Sequence, residues 1–600
     1  MGLRAAAIHP ADAIRCGGKA AGFAKSDVVK YNSATGSARR RTQDVVMINP
    51  YRILNGNLPE RLPPSRTAVS AEPKQLQAWV EALPRANQQV FLGDLQRILM
   101  EFRARRFEGF ARLEAMEVLR PMLLEAAALL ASRLQGSTFP LTGMKAESAK
   151  RFLELNRELA LAYRMAVAEA CAPAGKVPLL RSGRVALALI RAVYHHARWL
   201  AASYFVYRAP EPDAWAQLYA LAAFAMAHKL ESKAIEDPVE RRSLTVALLQ
   251  NQAILLSLAN PYRFSQRELA DLWTLTRDTA SLIELTPQRF SAAGALALID
   301  RDAAPVFVSR APDPGDGDVY WADLRKLNDL IRAAVSHAGA ARGAVLRLSR
   351  EYHLPMPVDL LARALEGWSQ DAARGFARLD GGYVLDSVLG LTAVHFQLAG
   401  RRDLDGMQRE VRSASSGVFQ SGSRERAGAE ATHGETVEVQ VQDQSLGGYR
   451  LRWEAEHGVR VRIGELVGVA LPIEIEARDW AVGTVRWLRF DEDGAVEAGV
   501  DLVARRSQAV ALRGVDASGG SQTSTRALAL AGVLEPPADG ADELFLIDGL
   551  TGLETPQVEV VRMGDRWDGE HGVGLQTHNR PALRQRRRAG DYLVVAPVNT

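Results

Sequence analysis

From about residue 73 to residue 410 the apolar positions of this chain recur at intervals of three and four. The segment Phe110-Ala-Arg-Leu113-Glu-Ala-Met116-Glu-Val118-Leu119 is one such stretch, and a stripe of that period is the buried face of an α-helix. Comparable stretches run over 147–171, 185–206, 213–235, 239–259, 266–285 and 321–346, many of them rich in Ala and Leu, which are good helix formers. Pro/Gly breaks separate them, among them Ala172-Pro-Ala-Gly, Arg208-Ala-Pro-Glu-Pro, Asn260-Pro and Pro312-Asp-Pro-Gly-Asp-Gly. Ser265 and Asp213 stand where helix N-caps belong. Trp215-Ala-Gln-Leu218-Tyr219 resembles the start of a repeat helix, but no fixed period follows it. Residues 47–410 are therefore expected to form an all-α helical domain, either an irregular bundle or a degenerate helical repeat. The strand expected within it is Ala304-Pro-Val-Phe-Val-Ser.

The period then shortens to two. Residues 411–434 are rich in Ser, Gly, Arg and Glu and read as a linker. Beyond them Val437-Glu-Val439-Gln-Val441, Tyr449-Arg-Leu451-Arg-Trp453 and Val459-Arg-Val461-Arg-Ile463 alternate. Further strand signals lie at Leu466 to Leu471, Ile473-Glu-Ile475, Val482 to Trp487 and Ala498 to Leu502. Short strands at this spacing predict a small antiparallel β-barrel or sandwich over 435–515. Leu544 to Ile547, Val558 to Val561 and Tyr592 to Val595 predict more β structure over 521–600, as an extension of the first β domain or a second small module. The expected fold class is α+β, multidomain.

Six hundred residues, 47% of them hydrophobic, exceed what one core organises. The 74 basic and 70 acidic residues leave a net charge of +4, a mixed surface and not a nucleic-acid-binding field. Two cysteines, Cys16 and Cys171, exclude a disulfide scaffold and fit a reducing, cytoplasmic setting. No apolar run reaches the ~20 residues that span a bilayer; the best, Val185 to Tyr207, is broken by Arg191, His195, His196 and Arg198. Residues 1–46, with Arg39-Arg40-Arg41 and no compact apolar run, read as a disordered leader, and Met47 opens the structured part.

The turn after Val441 carries the chemistry. Asp443-x-Ser445-x-Gly447-Gly448 joins two alternating segments. A carboxylate accepts two hydrogen bonds in one plane, which matches the two parallel donors of a guanine edge. Ser445 adds a hydroxyl beside it, and two glycines let a flat ring or a phosphate approach the backbone. Arginine would complete such a site, forking onto phosphate and stacking on a purine; Arg424 and Arg426 lie upstream on the 411–434 strip. Taken alone, Asp, Ser and Gly are also ordinary hairpin-turn residues. Arg450, Arg452, Arg460, Arg462 and Arg486 fall on the solvent side of their strands by alternation. His195 and His196 are adjacent on a helix and point to different faces, so they are not read as a ligand pair; a surface or core-edge place is expected. Trp199, Tyr204, Phe205 and Tyr207 read as core aromatics, and Arg584-Gln-Arg586-Arg587-Arg588 as a solvated loop. No phosphate-binding loop, nucleophile elbow or zinc-protease motif occurs, so neither an enzyme nor a bound cofactor is expected.

Several features in sequence order make residues 420–515 resemble a PilZ domain, the small β-barrel receptor for the bacterial second messenger cyclic di-GMP. They are Asp443-x-Ser445-x-x-Gly448, the step Gly464-Glu-Leu-Val, the strand Gly483-Thr-Val-Arg-Trp487 and the closing Gly499-Val-Asp-Leu. The family usually carries Arg-x-x-x-Arg about twenty residues before the turn; here that place holds Arg424-Glu-Arg426. The resemblance implies a cyclic di-GMP receptor with Arg424, Arg426, Asp443, Ser445, Gly447 and Gly448 on the ligand. It implies that ligand orders the 411–434 strip, and that a protein partner held by the helices controls motility, pili or surface polysaccharide. The alternative is a ligand-free helical scaffold or adaptor whose β domain is degenerate.

Overall fold

The computed structural model describes residues 50–600 except 66–67, 288–293, 299–300, 309–318, 340, 370–376, 407–434, 473–478, 492, 516–523, 535–542, 550–556, 563–575 and 598–600. The expected leader at 1–46 and the linker at 411–434 lie outside the described residues, as do Ile473 and Ile475.

Seven helices come first: α1 (Pro50–Asn55), α2 (Pro73–Glu81), α3 (Gln88–Ala104), α4 (Ala111–Leu134), α5 (Gly143–Ala170), α6 (Ser182–Phe205) and α7 (Ala214–Ala227). A hairpin of β1 (Ile235–Asp237) and β2 (Arg242–Leu244) follows, then α8 (Val246–Leu258) and α9 (Gln266–Thr279). The expected cap at Ser265 forms a full capping box with Glu268. Asp213 is the N-cap of α7 but makes no side-chain cap bond. The Asp302 carboxylate supplies it instead, accepting from the amides of Trp215 and Ala216 at 3.0 Å.

Residues 284–389 depart from the all-α expectation. They hold β3 (Glu284–Thr286), β4 (Ala295–Leu298), β5 (Val306–Phe307), β6 (Val319–Asp323), α10 (Arg325–Ala338), β7 (Gly343–Arg347), β8 (His353–Pro357), α11 (Val358–Trp368) and β9 (Leu379–Leu389). Helix α12 (Leu391–Leu398) follows. The helical period over 321–346 merges a strand, a helix and the start of a hairpin, each too short to show its own period.

The second half is sheet: β10 (Val437–Ser445), β11 (Gly448–Trp453), β12 (Leu466–Ala470), β13 (Ala481–Phe490), β14 (Val496–Val515), β15 (Thr525–Val533), β16 (Leu544–Asp548), β17 (Gln557–Arg562), β18 (Gln576–Pro581), β19 (Leu583–Ala589) and β20 (Tyr592–Pro597). Six strands pair in the order β11-β10-β9-β12-β13-β14, and β14 pairs again with β11. Strand β9 thus enters this set from before the expected boundary at 435, between β10 and β12. The second part of β14 carries β15 on one side and β17 on the other. Arg584 to Arg588 belong to β19, so the expected loop is a strand. Val459 to Ile463 is not a strand of the sheet; among the described residues Val461 bridges only to Phe139.

That bridge joins the two halves. The Phe139 and Val461 backbones exchange two hydrogen bonds of 2.7 Å. The Phe139 ring meets Tyr207 edge-on at 4.8 Å and Phe490 at 6.1 Å. One continuous apolar cluster runs from helical residues such as Leu119 and Val193 into Val439, Leu451, Trp453 and Val485 of the sheet. Trp199, Tyr204 and Tyr207 lie in it as expected, with Phe205 partly buried against it.

His195 and His196 are fully buried, against the expectation of a surface or core-edge place. The Ala-rich stretch around them packs on both sides, so adjacent residues are both covered. Desolvation lowers the His196 pKa to about 4 against its backbone and Gln217 hydrogen bonds. Desolvation likewise lowers that of His395, on α12, to about 4, although its Nε2 lies 3.1 Å from the Val510 carbonyl. Both stay neutral in the folded protein where the unfolded chain takes up a proton, below about pH 6.5. Stability is therefore lost as pH falls from about 6.5 to about 4, by on the order of 3 kcal/mol per histidine. Urea unfolding followed between pH 7.5 and 4 shows this loss, and His395→Gln flattens it by about one proton; an identical slope in that variant rules out the contribution.

Candidate functional site

The turn at Asp443 is built by close backbone approach. Strands β10 and β11 form a hairpin in which Ser445 faces Gly448 across the two-residue loop Leu446-Gly447. Gly448 abuts β14: a Cβ there would collide with the Val500 carbonyl. Gly381 of β9 does the same for the Val441 carbonyl. Opposite Gly381 the register of β10 shifts between Val441 and Asp443 on both of its neighbours. Such a bulge re-aims the side chains beyond it, here Asp443. The glycine at 448 is thus explained by packing. The Gly447 carbonyl also accepts from the Leu502 amide at 2.9 Å.

Arginines surround the carboxylate. Nη1 of Arg378 lies 2.8 Å from each Asp443 oxygen. Arg450 stands 3.8 Å from Oδ2 and also pairs with Glu497. Its hydrogen bond to Glu497 raises its pKa against partial burial. Arg505 donates to the Leu446 carbonyl at 3.4 Å. The Ser445 hydroxyl lies 3.4 Å from the Gly448 carbonyl, and Tyr383 donates to Gln444 at 2.6 Å. Arg378 and Arg450 are each 42% exposed and Asp443 only 17%, so both guanidiniums are open to an incoming anion. A cleft lined by Leu95, Leu99, Leu130 and Leu155 lies among α3, α4 and α5, which supply nothing to this turn.

The structure therefore brings Asp443, Ser445, Gly447 and Gly448 together. Arg424 and Arg426 lie outside the described residues. Arg378 was missed from sequence. It ends the run Arg374-Gly-Phe-Ala-Arg378 immediately before β9, which is an Arg-x-x-x-Arg pair. Residues 390–436 separate β9 from β10, so Arg378 stands 65 residues before Asp443 in sequence. The available signal was that pair followed by Leu379-Asp-Gly-Gly-Tyr383-Val-Leu385, a glycine-broken alternation. Arg450 and Arg486, expected on the solvent side, keep partial exposure but carry ion pairs, Arg486 with Asp501 and Glu366.

Comparison with known proteins follows this layout. Residues 74–288 match the family model described as "Cyclic-di-GMP receptor FimW, N-terminal domain". Residues 296–435 and 408–509 match "Cyclic-di-GMP receptor FimW, middle PilZ domain". The second match starts well before 435 and takes in β9 and Arg378. A curated relative, the cyclic-di-GMP receptor FimW of Pseudomonas aeruginosa, is 23% identical over 587 residues, covering 88% of this chain and 92% of that protein. On these matches the chain is a PilZ-domain protein, its PilZ part falling within residues 296–509 and preceded by an N-terminal region of the kind found in that receptor.

Proposed function

We propose that this chain is a cyclic di-GMP receptor whose ligand lies over the Asp443 turn. The observation that carries the reading is Arg378, brought onto Asp443 across 65 residues of sequence. With Arg374 it supplies the Arg-x-x-x-Arg pair that the PilZ resemblance calls for. The six strands β9 to β14, with their returning pairing, are read as the barrel that supports it.

In this reading the Asp443 carboxylate exchanges Arg378 for the two parallel N–H groups of a guanine edge. The released guanidinium forks onto phosphate, and Arg374 joins it or stacks on the purine. Ser445 offers its hydroxyl beside the base, while Gly447 and Gly448 keep the floor flat. The ion pair thus holds the site in a charge-balanced form until ligand replaces both halves at once. The role is binding without chemistry. Output passes to a protein partner on the helical part, which shares its core with the sheet. Support for the ligand class comes from the match to the middle PilZ domain and from the name of the 23% identical relative.

A second reading, a ligand-free adaptor, is favoured by one observation: Asp443 already has two cationic neighbours. Calorimetric titration of the full chain with cyclic di-GMP separates the two. Saturable heat that Asp443→Ala removes is the expected result. No heat at micromolar protein leaves the adaptor.

A further inference from the structure

The connection between α5 and α6 ends in two uncovered leucines. Leu179 is 88% exposed and Leu180 is 95% exposed. Exposed apolar side chains on soluble proteins are usually scattered singly; these are neighbours on one tip. Leu180 also sits at φ +58°, a backbone that non-glycine residues rarely adopt. Conformations of that kind persist only where the surroundings impose them, and they collect at binding sites.

The surroundings here are firm. The Arg181 amide donates to the Pro178 carbonyl at 3.1 Å, and the Gly175 amide to the Cys171 carbonyl at 2.8 Å. Gly175 lies so close to Tyr51 that a Cβ would strike the ring. Val177 and Pro178 are partly buried, so the two leucines are held outward. Exposed cations flank them. Lys176 precedes and Arg181 follows, and neither has a carboxylate partner among the described residues. Lys233 reaches the Ser182 hydroxyl at 3.1 Å. Glu114 of α4 is taken by Arg184.

We propose that this tip docks the protein on an anionic membrane surface. Leu179 and Leu180 enter the boundary between headgroups and acyl chains, and Lys176, Arg181 and Lys233 meet the headgroups. A protein groove for two leucines has no need of unpaired cations on both sides; an anionic bilayer supplies the apolar and the charged partner together. No helix among the described residues is long and apolar enough to cross a membrane, so the attachment is peripheral and reversible.

Co-sedimentation of the full chain with vesicles tests this. The protein partitions onto phosphatidylcholine vesicles containing phosphatidylglycerol and far less onto phosphatidylcholine alone. Leu179→Ser with Leu180→Ser lowers that partition by at least about tenfold. Lys176→Gln with Arg181→Gln lowers it several-fold and flattens its salt dependence. Both variants keep the parent melting temperature, since the side chains concerned touch little. Absence of partition by the parent protein overturns the proposal, as does equal partition by the leucine variant. Capture of a soluble protein by the tip without vesicle binding overturns it too.

Discussion

Changing Arg374 and Arg378 together to alanine lowers cyclic di-GMP affinity by about 100-fold or more, whereas changing Arg424 and Arg426 leaves it within about threefold. Each lost hydrogen bond to a charged group is worth about 1.5–3 kcal/mol, and two charged contacts multiply as affinities. The contrast between the pairs matters more than either number, because both stand before the same turn and both are arginine-rich. Arg378 is on Asp443 at 2.8 Å. Arg424 and Arg426 have a sequence argument alone. Calorimetry on the two double variants, with parent protein alongside, is sufficient. The opposite ranking returns the phosphate clamp to the 411–434 strip. Arg378→Lys is informative as well: a single ammonium cannot fork onto phosphate, so it recovers only part of the loss.

Asp237→Ala has the largest expected effect on folding, about 3–5 kcal/mol in urea unfolding. Asp237 is 1% exposed on the short strand β1. Its carboxylate accepts from Arg120 at 2.7 and 3.0 Å and from Arg191 at 2.8 Å. It also accepts from the amides of Val239 and Glu240 at 2.8 and 3.1 Å. Burial by itself would raise its pKa; the Arg120 hydrogen bonds and the Arg120 and Arg191 charges outweigh that and hold it below the usual value. Arg120 is 2% exposed and Arg191 is 1%. Removing the carboxylate leaves two buried cations, of which Arg191 keeps Glu117 and Arg120 keeps a 3.4 Å contact with His195 and the face of the Tyr194 ring at 5.0 Å, but no carboxylate among the described residues. Asp237→Asn retains a hydrogen-bond acceptor without the charge and falls between the parent and alanine. An alanine variant as stable as the parent means that the cluster is solvated and that α4, α6 and β1 are not held by it.

The two halves of the chain were legible in unequal measure. Helix period and strand period come from burial on one face, and they located α5, α6, α9, β10, β11, β13 and β16 closely. Within 284–389 the expected strand at Ala304-Pro-Val-Phe-Val-Ser is β5 (Val306–Phe307), whereas β3, β4 and β6 stayed hidden because they are short, and residues so few do not establish a period. Val459 to Ile463 alternates as a strand would, yet its partner is the Phe139 backbone of a helical connection, and alternation reports only which face is covered. The buried histidines escaped for a related reason: an Ala-rich helix packed on several sides has no solvent face to read.

The site followed the same division. Asp443, Ser445 and the glycines are neighbours in sequence, so local turn chemistry revealed them. Arg378 belongs to the site through a strand pairing, β9 with β10, that 390–436 pushes apart along the chain. Spacing along the chain does not report such a contact: Arg378 stands 65 residues before Asp443 and reaches it beside the β9–β10 pairing. The 42% exposure of Arg378 also gives it no burial signature to betray it.

The bridge between Phe139 and Val461 has a consequence for the order of synthesis. Pro140 and Arg460, in hydrogen-bond contact beside it, are 320 residues apart. At ~5–20 residues per second, roughly 15–60 s pass between the emergence of one and the other. During that interval Phe139, joined by Tyr207 once it is made, stands without Phe490, and near its end β9 (Leu379–Leu389) waits for β10 and β12. The partners that cover Phe139, Tyr207 and β9 are thus made late in translation, and a slow or stalled ribosome between 390 and 500 prolongs their exposure.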